Sequence, residues 1–117
     1  MSVNVSNFAR SKTFYRAALA PLGYAVVMEF ENKAGFGIGN TPDFWIGEGK
    51  PNVPPVHVAF AAASHVEVDA FYRAAIAAGA TDNGRPGPRP HYHEHYYGAF
   101  VRDPDGHNIE ACCHLPE

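Results

Sequence analysis

One short segment occurs twice in this 117-residue chain, and the repeat limits the possible folds more than any other feature. Residues 14–20 read Phe-Tyr-Arg-Ala-Ala-Leu-Ala, and residues 71–77 read Phe-Tyr-Arg-Ala-Ala-Ile-Ala, 57 positions later. Alanine, leucine and arginine favour helices, so each copy predicts one. A repeat at the same place in two similar strand patterns indicates internal duplication. We expect two half-sized units whose sheets pair into one curved sheet, with the helices outside and the inside free to hold a ligand.

Strand signals surround each predicted helix in the same order. Ser6 or Asn7 caps the first helix, and Ser64 with Glu67 forms a capping box for the second. Residues 83–90 are rich in glycine and proline and predict a loop. The predicted strands, which are aromatic, β-branched or glycine-laced, are residues 2–6, 24–30, 34–39 and 43–47 in the first half and 56–62, 97–101 and 108–112 in the second.

The last two strands flank a tight turn, Asp103-Pro104-Asp105-Gly106, whose residues suit the turn positions. In the strand after this turn, Asn108 and Glu110 point to one face. A mid-strand carboxylate faces either solvent or a concave site, and the pattern leaves both interpretations open.

Composition excludes several classes of function. Nine Lys and Arg against 12 Asp and Glu give a net charge of −3, without the basic patch of a nucleic-acid-binding protein. No run approaches the ~20 apolar residues of a membrane span, and the N-terminus lacks a signal-peptide pattern. Cys112 and Cys113 are adjacent and point to opposite faces of a strand, which disfavours a disulfide between them. We therefore predict a reduced, cytoplasmic protein of one domain, with modules at about 1–48 and 56–114 joined by the proline-rich linker 49–55.

Several motifs carry a resemblance to a known family. They are the helix start at residues 10–15, Leu-Gly-Tyr at 22–24, His-Val-Ala-Phe at 57–60 and the segment 97–110. With these motifs, the chain resembles the vicinal oxygen chelate superfamily, which includes glyoxalases, bleomycin resistance proteins and extradiol dioxygenases. The resemblance covers almost the whole chain and implies an α+β fold of two βαβββ modules, a curved mixed sheet with a concave ligand cavity, and a homodimer.

The resemblance also implies a metal site. Metal-dependent members take ligands from the first and last strands of each module, and His57 and Glu110 match those places in the second module. A third ligand would come from the histidines at 91–95, with His93 as the candidate. The ion would be zinc, nickel, iron or manganese, and Glu110 would also be catalytic. The alternative is that no metal is bound.

The first module departs from this pattern. Its acidic ligand would fall near Trp45, and its histidine would fall at position zero, immediately before Met1. We therefore hypothesise that the natural chain begins earlier, with a histidine in that register.

Two further sets of residues have a functional and a structural interpretation. If residues 91–95 are extended, their three histidines point to one side, where two could bind one metal; otherwise they form a solvent-facing edge or loop, which is the favoured interpretation. Aromatic residues and histidines could line a pocket, although strand aromatics more often belong to a core. The predicted pocket residues are Trp45, Phe36, Tyr97, His91 and His95.

Two hypotheses about function follow from the resemblance. In the first, the chain is a metal-assisted lyase or isomerase that acts on a small oxygenated metabolite. In the second, it is a metal-free protein of the bleomycin-resistance type that binds a drug or metabolite in an aromatic cavity.

Overall fold

The computed structural model, which describes residues 1–116, contains two copies of one βαβββ unit and confirms the predicted α+β class. A single 3-10 turn, Ala20–Leu22, follows the first helix. The first unit consists of β1 (Ser2–Val5), α1 (Phe8–Leu19), β2 (Ala25–Phe30), β3 (Lys33–Gly37) and β4 (Phe44–Glu48), and the second of β5 (His57–Ala61), α2 (His65–Ala77), β6 (Thr81–Pro88), β7 (Tyr97–Arg102) and β8 (Asn108–Cys113).

The two units have the same strand order. Hydrogen bonds define two four-stranded sheets, β1-β4-β3-β2 and β5-β8-β7-β6, which do not close into a barrel. In each sheet the first strand of the unit pairs parallel with its last strand, and the remaining pairs are antiparallel. This identity of order supports the duplication inferred from the repeat.

Both helices begin at the residues that the sequence indicates. The Asn7 side chain accepts a hydrogen bond from the Arg10 N–H at 3.1 Å, and the Ser64 hydroxyl accepts one from the Glu67 N–H at 3.2 Å. The Glu67 carboxylate accepts a bond from the Ala63 N–H at 2.9 Å, one residue before the cap. These bonds satisfy amide donors that a helix N-terminus otherwise leaves unpaired. Neither helix is long and apolar enough to span a membrane.

The loop predicted over residues 83–90 is wrong for most of its length, because β6 occupies Thr81–Pro88. This strand lies at the edge of its sheet and pairs only with β7, so its prolines cost no hydrogen bond on the free side. The register shifts between Asp82 and Gly84 and between Gly84 and Gly87. The glycines and prolines of residues 83–90, which predicted a loop, therefore belong mostly to an irregular edge strand.

Each sheet buries one face against the helices in a shared core. On β8, Ile109, Ala111 and Cys113 belong to that core, whereas Glu110 and Cys112 alternate to the opposite face. We call this opposite face of the second sheet the open face. It carries His57 and Ala59 from β5, Glu110 and Cys112 from β8, and Gly98 and Phe100 from β7.

Candidate functional site

A buried carboxylate stands at the centre of the open face. Glu110 is only 2% exposed, although it lies on the face turned away from the helices. Its Oε1 atom is 2.9 Å from Nε2 of His57, whose side chain is 52% exposed. Parallel pairing of β5 with β8 brings the two residues together, because Ala59 is the register partner of Glu110 and His57 lies two positions before it on the same face. The structure thus joins the two residues that the sequence singled out.

Tyr96 is the third member of this cluster. It precedes β7, and its hydroxyl donates a hydrogen bond to Oε2 of Glu110. Burial raises the pKa of Tyr96 most, and the hydrogen bond to Glu110 raises it further, so the phenol stays protonated at neutral pH. Both oxygens of the buried carboxylate therefore have a hydrogen-bonding partner, which is what a buried charge requires.

Gly98 makes room for this contact. A Cβ atom at Gly98 would lie 3.1 Å from Cε1 of Tyr96 and 3.4 Å from Oε2 of Glu110. The first distance is tighter than an ordinary van der Waals contact. Glycine in this strand therefore permits the tyrosine to lie across the sheet and reach the carboxylate.

A cleft of about 310 Å³ begins beside His57. Aromatic rings form much of its wall, with the Phe60 ring packed edge-on against Phe44 at 5.1 Å and Tyr24 at 5.3 Å. The Tyr24 hydroxyl donates to Asp43 at 3.1 Å; burial and then the Asp43 charge raise the pKa of Tyr24. The cleft is lined by Met1, Tyr24, Asp43, Phe44, His57, Val58, Ala59 and Phe60. It is large enough for a small metabolite.

The histidines at 91–95 lie in exposed turns rather than in a strand. The His93 ring packs against His95 at 6.2 Å and against His114 at 5.6 Å between ring centroids. Within residues 1–116, no group of three or more His, Cys, Asp or Glu is close enough to hold a metal ion. The structure therefore does not bring His93 to the His57–Glu110 pair.

Among residues 1–116, the donor set at Glu110 is smaller than that of a usual catalytic metal centre. His57 and Glu110 supply two donors, whereas catalytic zinc sites usually have three protein ligands. His57 and Glu110 contact each other, and the Glu110 carboxylate also accepts a hydrogen bond from Tyr96. We therefore derive no chemical step through a metal.

Cys112 lies on the same face and approaches the Glu110 cluster. Its sulfur is 4.0 Å from Nε2 of His114. Burial raises the pKa of the Cys112 thiol, and the Glu110 charge raises it further, although the Tyr96 hydroxyl opposes the shift. A thiol kept protonated is a poor nucleophile.

The predicted pocket residues are dispersed. Phe36 is fully buried in the core beside Tyr15, because the alternation of β3 turns it toward α1. Trp45 stacks on Phe30 on the opposite face of the first sheet, with ring centroids 6.3 Å apart. His91 lies in an exposed turn. Tyr97 and His95 line a second cavity of about 270 Å³, and Tyr97 also donates to Asp69 at 2.8 Å.

Strand registers show which residue of the first unit corresponds to Glu110. Val3 pairs with Ile46 in the first sheet, and Phe60 pairs with Ala111 in the second. Val3 and Phe60 are 57 positions apart, the offset of the repeat, so Trp45 corresponds to Glu110. This agrees with the sequence-based placement of the missing acidic residue near Trp45.

Sequence reasoning missed Tyr96 as a site residue and favoured Tyr97. Strand alternation could have distinguished them. Tyr96, Gly98 and Phe100 are two residues apart along the chain and so lie on the same face, and Phe100 is the register partner of Glu110. Arg89, whose guanidinium lies over the Phe100 ring, belongs to residues 83–90, which the sequence predicts as a loop.

A sequence model of the family described as the Glyoxalase/Bleomycin resistance protein/Dioxygenase superfamily matches residues 1–111. A comparison with curated proteins found no match. Among solved structures, the chain is similar to a glyoxalase/bleomycin resistance protein from Albidiferax ferrireducens T118. The two share 30% identity over 97% of this chain and 95% of that one, with a TM-score of 0.83.

Two more distant structures share the fold. The hypothetical protein SA1046 from S. aureus is 23% identical over 96% of this chain and 92% of that one, with a TM-score of 0.70. A lactoylglutathione lyase from Agrobacterium tumefaciens is 18% identical over 97% of this chain and 90% of that one, with a TM-score of 0.68.

Proposed function

Because this chain belongs to the glyoxalase/bleomycin resistance protein/dioxygenase superfamily, we propose that it is an enzyme that moves a proton on a small oxygenated metabolite, as a lyase or isomerase. The observation that carries the proposal is the buried Glu110 carboxylate, bonded to Tyr96 and to an exposed His57 at the mouth of a cleft. A binding protein needs no buried carboxylate of this kind, whereas proton transfer needs a base that is positioned and shielded from water.

Each residue of the cluster has a role in this proposal. Glu110 takes a proton from the hydroxyl-bearing carbon next to a carbonyl group and returns it at the former carbonyl carbon, while the hydroxyl proton moves to the former carbonyl oxygen, so that hydroxyl and carbonyl exchange places. Tyr96 donates a hydrogen bond to Oε2 of Glu110 and so fixes the direction in which Oε1 points. His57 is exposed enough for a substrate to displace it from Oε1, and its ring then donates a hydrogen bond to the oxygen on which charge develops.

A proton-exchange experiment tests the role of Glu110. A panel of small 2-oxo and 2-hydroxy compounds is incubated with the protein in D₂O, and NMR follows the loss of the proton next to the carbonyl or hydroxyl carbon. We expect the wild-type protein to accelerate exchange of at least one compound. Glu110→Gln should slow this exchange by about 10²- to 10⁴-fold, the usual contribution of a general base.

The matched control is Glu94→Gln, because the Glu94 side chain is 83% exposed and its nearest ion-pair contact is to His95 at 3.9 Å. This variant should exchange at the wild-type rate. Exchange that is equally fast in Glu110→Gln contradicts the proposal, and so does a panel with no accelerated compound.

The second candidate is a metal-free binding protein of the bleomycin-resistance type. The aromatic wall formed by Tyr24, Phe44 and Phe60 favours it, because such walls suit flat apolar ligands. Titration with bleomycin, followed by calorimetry, tests it. Binding that survives Glu110→Gln, without proton exchange in the panel, favours this candidate over the enzyme.

The divalent metal and the homodimer that the resemblance implies are separate proposals. Metal analysis of untagged protein, compared with His57→Ala, tests whether zinc, nickel, iron or manganese binds at the pair. Size-exclusion chromatography with light scattering tests the dimer.

A further inference from the structure

We propose that Arg89 forms a preorganised binding site for the carboxylate of a small anionic substrate on the open face. This inference rests on the proposed function, which places the reacting carbon of the substrate at Glu110, and it adds the substrate class. Arg89 follows β6, and its guanidinium carbon lies 5.6 Å from the centre of the Phe100 ring. It is half-buried, so its direction is set by its surroundings.

The position of Arg89 relative to the base follows from sheet register. Ala59, Glu110, Phe100 and Gly84 form one row across β5, β8, β7 and β6. Neighbouring strands are about 4.8 Å apart, so Gly84 lies roughly 10 Å from Glu110 along this row. Phe100 is the midpoint of that distance, and the guanidinium lies at its Gly84 end, where a Cβ on Gly84 would be 3.3 Å from Nη2. After one hydrogen-bond length of about 3 Å at each end, there is room for an acid of two to four carbons.

The structure holds the guanidinium in place. Its Nη2 donates to the Arg85 carbonyl at 2.8 Å, and its Nη1 donates to the Pro88 carbonyl at 3.3 Å. A Cβ at Gly84 would lie 3.3 Å from Nη2, and a Cβ at Gly87 would lie 3.2 Å from Nη1. Two glycines therefore form the floor on which the planar group lies, and Phe100 supports it through a cation–π contact.

The charge of this group is not matched by a carboxylate. A guanidinium has five N–H donors, and the two main-chain bonds use two of them. None of the ion pairs found among residues 1–116 includes Arg89. If Arg89 only stabilised the segment after β6 through its two main-chain hydrogen bonds, its positive charge would not be needed on the open face. The geometry instead suits a carboxylate, which a guanidinium binds through two parallel hydrogen bonds.

Ligand titration tests this proposal. Pyruvate is the probe, pyruvamide is its uncharged counterpart, and inorganic phosphate is the alternative anion; binding is measured by NMR shifts of the protein. We expect pyruvate to bind saturably and pyruvamide at least tenfold more weakly. Arg89→Gln should weaken pyruvate binding by about 10- to 100-fold. The affinity of Arg89→Lys should lie between those of the wild type and Arg89→Gln, because lysine keeps the charge but cannot donate two parallel hydrogen bonds.

Two further variants make the test specific. Arg85→Gln removes a charge from β6, the strand that Arg89 follows, but on the other side of the sheet, where the Arg85 charge acts on Tyr72 and Asp82. This variant should bind pyruvate as the wild type does. Gly87→Ala leaves the charge in place but crowds Nη1, and it should weaken binding. Thermal melting of each variant verifies folding.

The outcomes separate this proposal from the proposed function. Equal pyruvate binding by Arg89→Gln and the wild type overturns it, as does equal binding of pyruvate and pyruvamide. Binding of phosphate in place of pyruvate overturns the carboxylate assignment. Pyruvate binding that depends on Arg89 and persists in Glu110→Gln supports the carboxylate site. This holds even where no compound exchanges a proton, a result that would disprove the proposed enzymatic function alone.

Discussion

At the scale of single residues, the open face shows how side-chain size decides which contacts form. Glu110 can be buried because Tyr96 and His57 both reach it, and Tyr96 can reach it because Gly98 has no side chain. The corresponding residue of the first unit is Trp45, which stacks on Phe30 instead. One sheet thus presents a polar cluster where the other presents an aromatic pair.

The contact at Gly98 leads to a testable expectation. Gly98→Ala places a methyl group 3.1 Å from the Tyr96 ring, so the ring must shift and its bond to Glu110 weakens. We expect the free energy of unfolding to fall by about 1–3 kcal/mol in urea titrations, the usual cost of overpacking. Gly47→Ala is the control, because its nearest neighbour, Lys33 Cγ, would lie at an ordinary 3.6 Å. A Gly98→Ala protein as stable as the control contradicts this account.

At the scale of elements, the turn between β7 and β8 fastens one unit to the other. The Asp103 carboxylate accepts bonds from the Asp105 and His107 amides, both at 2.9 Å, and from the Tyr15 hydroxyl of α1. The His107 ring is fully buried; its Nδ1 accepts from the Val56 amide and its Nε2 lies 3.1 Å from the Asn4 carbonyl. Because Nδ1 is the acceptor, Nε2 carries the proton.

Removing the His107 ring measures the strength of this connection. His107→Ala leaves the Val56 amide and the Asn4 carbonyl without their partner and opens a cavity, so we expect a loss of about 2–4 kcal/mol in unfolding free energy. His91→Ala, in an exposed turn, should change stability by less than about 0.5 kcal/mol. Similar losses in the two variants would show that the turn does not hold the units together.

At the scale of the whole molecule, both units share one core, and Tyr15 lies inside it with its hydroxyl on Asp103 of the other unit. Burial, followed by the charge of Asp103, raises the pKa of Tyr15 well above its usual value near 10. Above pH 10 the unfolded chain therefore releases this proton while the folded chain keeps it. The contribution of Tyr15 to stability is complete below pH 10 and is lost as the pH rises beyond it.

The pH dependence of unfolding checks this sign. Between pH 9 and 11 we expect the wild-type free energy of unfolding to fall, with Tyr15 contributing up to about 1.4 kcal/mol per pH unit above pH 10. Tyr15→Phe should be less stable at pH 8 but should show a flatter decline. Tyr92→Phe serves as the control, because Tyr92 is 58% exposed, and it should keep the wild-type slope. Equal slopes in all three proteins would contradict the assignment.

The sequence by itself determined the two-unit architecture, because a duplicated helix, its caps and the strand periodicities are all local signals. The resemblance to the superfamily also singled out His57 and Glu110 together, and the parallel pairing of β5 with β8 brings them into contact. Only the tertiary structure decided that Tyr96 completes this cluster, that β6 is an edge strand and that Arg89 lies over Phe100. Those facts depend on how the segment 81–96 folds back over the open face, and glycines and prolines there permit several paths among which local preference does not choose. The contacts with β7 and β8 select one.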